Sequence, residues 1–292
     1  MGEEKSNLLE LSRYKSETRP DWCPGCGDFG VLNSLVQAVA NLEIDPKDLL
    51  VVSGIGCSSN LPGFIHSYGF HSIHGRAMAV ASGARLANPD LTVVVTGGDG
   101  DGYGIGLGHF VHAMRRNLDI TYIVMDNQIY GLTTGQASPT STREFTTKSS
   151  PQGTKEDPIN PIALALVSGA TYVARGFSGD PKHLTELIQN GIRHKGFALV
   201  DVFSPCVTWN KINTYDYFRQ NCYKFNDGTY STNDLGQALA KARETGPKLP
   251  IGCFYETTKP TYEESDPVVK LGPVVKAKLG IQDPQMIFKE FY

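Results

Sequence analysis

A chain of 292 residues, 40 % hydrophobic and 20 % charged, can bury a sizeable core as one large domain or two ordinary ones, and its composition is that of neither a disordered nor a coiled-coil chain. With 27 Lys and Arg against 30 Asp and Glu, the net charge of −3 leaves no basic excess to neutralise phosphates, which argues against nucleic acid as the main partner. No apolar run has signal-peptide character or approaches the roughly 20 residues of a membrane span, so a soluble cytoplasmic protein with no membrane partner is expected.

In chain order, the opening fits the short myristoylation pattern, with Gly2 followed by Ser6, in an acidic context that speaks against it. Residues 22–27 read WCPGCG, a thiol pair on a bent backbone whose spacing suits a redox disulfide, a zinc site or an iron–sulfur cluster. A helix is predicted over 27–42, with Val31, Leu35, Val39 and Leu42 on one face. Apolar runs at 48–56, 91–102, 119–127, 170–176 and 196–205 predict strands. Between them 74–89, 105–117 and 181–195 predict helices, the last opening on Pro181, a common first-turn residue. Alternating strands and helices imply right-handed βαβ units, hence a doubly wound, mostly parallel α/β sheet covered on both faces. Residues 133–160 are rich in Ser, Thr, Pro and Gly and form a long loop of the kind that is usually functional or disordered. Two units are expected: a core over 1–206, and from 207 to 292 an irregular C-terminal arm, with one helix near 234–245, packing on the core or on a partner.

Open parallel sheets bind ligands at the carboxyl ends of their strands. One predicted end carries GGDGDG (97–102), whose Gly98, Gly100 and Gly102 let backbone approach a phosphate closely. Asp99 offers a hard oxygen to magnesium, Asn127 an amide oxygen, and a following main-chain carbonyl near Ile129 a third. Either loop alone reads most simply as turn residues after a strand. Together, one crossover apart, they resemble the thiamin diphosphate motif. Cys57 and Cys206 stand just past two further predicted strand ends. With Cys23 and Cys26 they would gather four thiols beside that pocket, the usual complement of a 4Fe–4S cluster. Zinc normally draws on two close pairs, whereas here only one pair is close. Cys222 and Cys253, outside glycine-rich loops, read as inert.

The stretches WCPGCG (22–27), GIGCS (54–58), HGRA (74–77), GGDGDGYGIG (97–106), MDNQIYGLTTGQASPT (125–140) and SPC (204–206) follow the order of one known family. Over roughly 15–210 the chain resembles the β, or thiamin-diphosphate-binding, subunit of the 2-oxoacid:ferredoxin oxidoreductases, and leans to the 2-oxoglutarate type. Thr134 stands where many of that family carry Lys or Gly. The resemblance implies that Asp99, Asn127 and the Ile129 carbonyl hold magnesium on the diphosphate. It implies that Gly98, Gly100 and Asp101 shape the loop, that Gly56, Ser58, Gly131, Leu132 and Thr133 lie by the cofactor, and that Cys23, Cys26, Cys57 and Cys206 hold the 4Fe–4S cluster. His74 and Arg76 are candidates for contact with substrate, with His66 and His71 weaker ones. The implied chemistry is reversible, coenzyme A-dependent oxidative decarboxylation of a 2-oxoacid, with electrons passing through the cluster to ferredoxin and the rest of the site supplied by an α subunit. A pyruvate-type enzyme, a cluster-free thiamin diphosphate decarboxylase or synthase, and an electron-carrier or scaffold subunit are the alternatives.

Overall fold

The computed structural model describes residues 11–244 and 247–276, with residues 285, 288 and 289; the Gly2–Ser6 pattern lies outside them. In chain order the strands are β1 (Leu49–Ser53), β2 (Tyr68–His71), β3 (Thr92–Gly98), β4 (Thr121–Asp126), β5 (Tyr172–Phe177), β6 (Ala198–Phe203), β7 (Cys222–Lys224) and β8 (Leu249–Glu256). The helices are α1 (Asp28–Asn41), α2 (Ala77–Ala87), α3 (Leu107–Arg116), α4 (Pro161–Val167), α5 (Pro181–Arg193), α6 (Tyr215–Asn221), α7 (Leu235–Ala242) and α8 (Tyr262–Ser265). All eight strands join one sheet in the order β2-β1-β3-β4-β6-β5-β8-β7. Every pairing is parallel except β5 with β8.

The doubly wound arrangement follows from alternation within apolar strands. Val94, Ile123, Met125, Val200 and Val202 pack on one face, against Val31, Leu35 and Val39 of α1 and Leu184, Leu187 and Ile188 of α5. Their neighbours Val93, Val95, Tyr122, Val124 and Leu199 point to the other face, against Phe110 and Met114 of α3 and the small residues of α2. Both faces are therefore covered, as parallel sheets require. The helix ends obey local rules: Asp180 accepts from the backbone N–H of His183 ahead of Pro181, and Asn160 accepts from that of Ala163.

The C-terminal segment packs on the core and is more ordered than its sequence suggests. Pro250 and Gly252 mask β8 as a strand, yet β8 extends the sheet antiparallel to β5, with an irregularity of register beside Val173 and Ala174. Strand β2 is likewise invisible in the sequence pattern, because all four of its residues are exposed and show no alternation. Further on, Glu263 of α8 is buried and accepts from Arg85 Nε at 2.8 Å, while Arg85 also donates to Asp119 Oδ2 at 2.7 Å. This clasp ties α2, the α3–β4 turn and the C-terminal segment together.

Four adjacent strands fix the geometry that matters for function. Ser53, Thr96, Ile123 and Val200 form one row across β1, β3, β4 and β6, so all four strands end within three residues of a common line. The chain leaves β1 towards β2 and returns to β3, so the β1–β3 boundary is a switch point in strand order, the usual location of a ligand crevice. Arg85→Leu should leave buried Glu263 without its cation, while Asp119 keeps Lys195 at 3.2 Å, and destabilise folding by about 3 kcal/mol, measured by urea unfolding; a loss below about 1 kcal/mol would mean that the clasp contributes no more than a surface pair.

Candidate active site

At that boundary lies a cleft of about 150 Å³. Its walls come from the loops after β1 (Ile55, Gly56, Cys57, Ser58), β3 (Gly98, Asp99, Gly100, Asp101) and β4 (Asn127, Ile129, Tyr130, Gly131, Leu132, Thr133), with His74 from the turn before α2. The structure thus brings the expected diphosphate-loop residues, the expected magnesium ligands and Cys57 to one place. Arg76 is not in the cleft wall: its guanidinium donates to the carbonyls of Gly75 and Ile105. His66 and His71 lie elsewhere, against Arg13 O and beside Ser53 Oγ and Ser59 O.

Asp101 anchors the loops. Its buried Oδ1 accepts from Ile55 N at 2.9 Å, Gly75 N at 2.7 Å and His74 Nδ1 at 2.7 Å. The carboxylate holds the His74 hydrogen on Nδ1, which leaves Nε2 as the nitrogen able to accept a proton or hydrogen bond. On the cleft wall Ser58 Oγ is buried with no hydrogen-bond partner among the described residues. An orphaned hydroxyl there fits a polar ligand. Gly100 is needed because a Cβ would stand 2.1 Å from Tyr130 Cε1, while the Tyr130 hydroxyl donates to Gly100 O at 3.1 Å.

Asp99 is 1 % exposed, and burial pushes its carboxyl up to about 6, partly offset by hydrogen bonds from Ser138 and Thr140. The Thr140 hydroxyl lies 2.6 Å from Asp99 Oδ2 and 2.8 Å from Asp126 Oδ1. One hydroxyl hydrogen can serve only one of them, so the other carboxyl must supply a hydrogen of its own. Asp126 too is raised well above its usual value, by burial first and then by Asp201 and Asp99. A divalent cation on Asp99 would relieve this crowding. Asn127 Oδ1 accepts from Ile129 N at 3.0 Å and keeps a second lone pair. Thr134 takes a positive φ of 75°, a conformation more natural to glycine.

The thiols converge beside the cleft. A Cβ on Gly131 would lie 3.4 Å from Cys206 Sγ and 3.8 Å from Cys57 Sγ. Gly27 N donates to Pro205 O at 3.0 Å, binding the WCPGCG loop to the Cys206 loop, and Trp22 Nε1 donates to Cys57 O at 2.7 Å. Burial raises the Cys26 thiol, and Asp28, Cys206 and Cys57 add to the effect. Burial pushes Cys57 up to about 12, with Asp28, Cys206 and Cys23 contributing. Cys222 and Cys253 are likewise raised to about 12 by burial, but no glycine-rich loop brings partners to them. Sequence reasoning missed Asp126, Tyr130, Ser138 and Thr140 as site residues. It also missed Asp28, whose Oδ1 accepts from Ser204 Oγ at 2.8 Å while Oδ2 is orphaned. The first four stand inside the stretch 125–140, but nothing in the sequence marks their partners.

Fold and site together define a thiamine-diphosphate-binding enzyme subunit, and comparison with known proteins agrees. Residues 54–202 match the family model described as "Thiamine pyrophosphate enzyme, C-terminal TPP binding domain". Residues 206–270 match the model for the C-terminal part of the pyruvate ferredoxin oxidoreductase β chain. A 2-oxoacid:ferredoxin oxidoreductase 1 subunit beta of Aeropyrum pernix is 48 % identical over 87 % of this chain and 83 % of that one. The 2-oxoglutarate synthase subunit KorB of Methanocaldococcus jannaschii is 37 % identical over 83 % of this chain and 90 % of its own. A solved 2-oxoglutarate:ferredoxin oxidoreductase from Magnetococcus marinus, with 2-oxoglutarate, coenzyme A and succinyl-CoA bound, superposes with a TM-score of 0.89 at 46 % identity, covering 96 % of this chain and 95 % of that one. The chain belongs to the β subunits of the 2-oxoacid:ferredoxin oxidoreductases, and so implies an α-subunit partner. No helix among the described residues is long and apolar enough to cross a membrane.

The raised Asp99 carboxyl carries a pH signature. Between roughly pH 4 and 6 the folded, metal-free protein binds more protons there than the unfolded chain, so its stability should fall as pH rises through that window. Asp28, also pushed up to about 6, has the same sign. Urea unfolding of metal-free wild type and Asp99→Asn at pH 4 and pH 6.5 checks this: the variant should show the shallower fall, and equal slopes would overturn the assignment.

Proposed function

We propose that this chain is the cofactor-binding half of an enzyme converting 2-oxoglutarate and coenzyme A to succinyl-CoA and carbon dioxide, in either direction, in the cytoplasm. A 4Fe–4S cluster held by the four thiols would pass the two electrons of each oxidation one at a time to ferredoxin. The observation that carries the reading is the thinness of the wall at Gly131 and Cys57. Both line the cleft, and Gly131 also abuts the Cys206 and Cys57 sulfurs. Thiamin diphosphate would supply the electron sink that lets carbon dioxide depart, and a cluster next door would accept the electrons.

This chain's own residues then bind and orient. Asp99, Asn127 and the Ile129 carbonyl hold magnesium on the diphosphate. Gly98, Gly100 and Asp101 shape the loop beneath it, and Gly56, Ser58, Gly131, Leu132 and Thr133 line the remainder. His74, fixed by Asp101, presents Nε2 to substrate or cofactor; Arg76 supports the turn from behind. Cys23, Cys26, Cys57 and Cys206 ligate the cluster. A single zinc ion is the weaker reading, since structural zinc normally draws on two close cysteine pairs and here only Cys23 and Cys26 form one. Exposed Ile55 and Leu132 line the cleft, a surface that the α subunit would cover. The 2-oxoglutarate preference rests on the KorB relatives and the Magnetococcus neighbour. A broader 2-oxoacid range is the second reading, favoured by the subunits named only for 2-oxoacids at 48–50 % identity.

The test uses the α–β complex with methyl viologen as acceptor. Asp99→Ala should abolish 2-oxoglutarate-dependent reduction and thiamin diphosphate retention while iron stays near wild type; Cys57→Ser should remove most of the iron. Loss of iron on Asp99→Ala with the cofactor kept would reverse the two assignments.

A further inference from the structure

We infer that the surface formed by Cys23, Val207, Trp209, Lys211, Ile212 and Lys148 is the docking face for the electron carrier, a small acidic iron–sulfur protein. The inference rests on the cluster reading above. Three observations carry it.

The first is access. Of the four gathered thiols Cys23 alone is exposed; Cys26, Cys57 and Cys206 are partly buried. The corner of the thiol site at Cys23 is therefore its shortest route to solvent. The second is continuity with an ordered, apolar surface. The CxxC loop touches the 206–213 loop, since a Cβ on Gly25 would lie 3.8 Å from Val207 Cγ1. Trp209 leans on the cleft loop, its Cδ1 4.0 Å from the Gly131 Cβ position and its Cε3 3.5 Å from that of Gly135. Trp209 is 36 % exposed and Ile212 56 %. Buried Asn210 pins the loop between them, donating to Asn127 O at 3.0 Å and to Asn213 Oδ1 at 3.2 Å. A rigid aromatic and an aliphatic side chain held open to water are typical anchors for a partner.

The third is charge. Lys148 Nζ stands 5.9 Å from the Trp209 ring centroid. Lys211 Nζ donates only to Val207 O. Neither lysine forms an ion pair among the described residues, although the chain as a whole carries a net charge of −3. Two unneutralised cations flanking an apolar anchor attract an acidic partner and steer its approach. Each encounter would move one electron from the reduced cluster to the carrier, so two encounters discharge one 2-oxoacid oxidation.

The test is the holo α–β complex carrying Lys148→Glu and Lys211→Glu together, read with an acidic two-cluster ferredoxin and, separately, with methyl viologen, which needs no docking. The expected result is a rise of roughly tenfold or more in KM for ferredoxin at low ionic strength, weaker ferredoxin binding by calorimetry, and methyl viologen reduction and iron content within twofold of wild type. A photo-crosslinker replacing Ile212 should capture ferredoxin. An unchanged ferredoxin KM in an iron-loaded variant would overturn the face alone, as would capture of the α subunit or a second β chain at position 212. Absence of iron from the wild-type complex would overturn the thiol reading and this face with it.

Discussion

The cleft depends on one oxygen atom. Asp101 Oδ1 sits in the interior and accepts from Ile55 N, Gly75 N and His74 Nδ1, groups that belong to the turns after β1 and before α2. Three donors on one buried carboxylate oxygen satisfy a charge that could not otherwise be kept there. They also draw the loops of separate strands to a single point. The parallel register delivers the strand ends to a common line, and Asp101 converts that line into a pocket of definite shape. Its neighbour Asp99 is left with a different task, since it lines the cleft and its burial outweighs the hydrogen bonds it accepts from Ser138 and Thr140.

This division of labour explains the odd electrostatics of the site. A carboxyl raised by burial, an orphaned Ser58 hydroxyl and a thiol raised to about 12 are each unfavourable in an empty protein. Each becomes favourable when a cation or a metal cluster takes the place of the proton or the missing partner. On the proposed reading the occupants would bring positive charge, and thiolate formation at Cys26 and Cys57 would accompany loading instead of preceding it.

Much of this was legible in the sequence for reasons that can be stated residue by residue. Val31, Leu35 and Val39 recur at helical spacing because they face a sheet; Val93 to Val95 run on without interruption because both faces are covered. Asp99, Asn127, Cys57 and Cys206 each follow such a strand, so a parallel sheet was enough to place them together. What stayed hidden depends on contacts without local period. Strand β8 contains Pro250 and Gly252 and finds its place only through pairing with β5. Strand β2 is an edge with no buried side to alternate. Thr140 bridges Asp99 and Asp126 from within a long polar loop, and nothing nearby announces a hydroxyl that reaches across 41 residues. Asp28 sits two residues beyond Cys26, in what reads as an ordinary first helical turn.

The bareness of residue 131 has a wider implication. Gly131 lines the cleft, and the place a side chain would occupy there lies within 3.8 Å of two sulfurs. A lineage refitting the chamber for a larger or differently charged acid could not do so by adding bulk at that spot, because the sulfurs would feel the same atoms. A change of specificity would therefore have to come from elsewhere around the rim, on the neighbouring loops or across the subunit boundary.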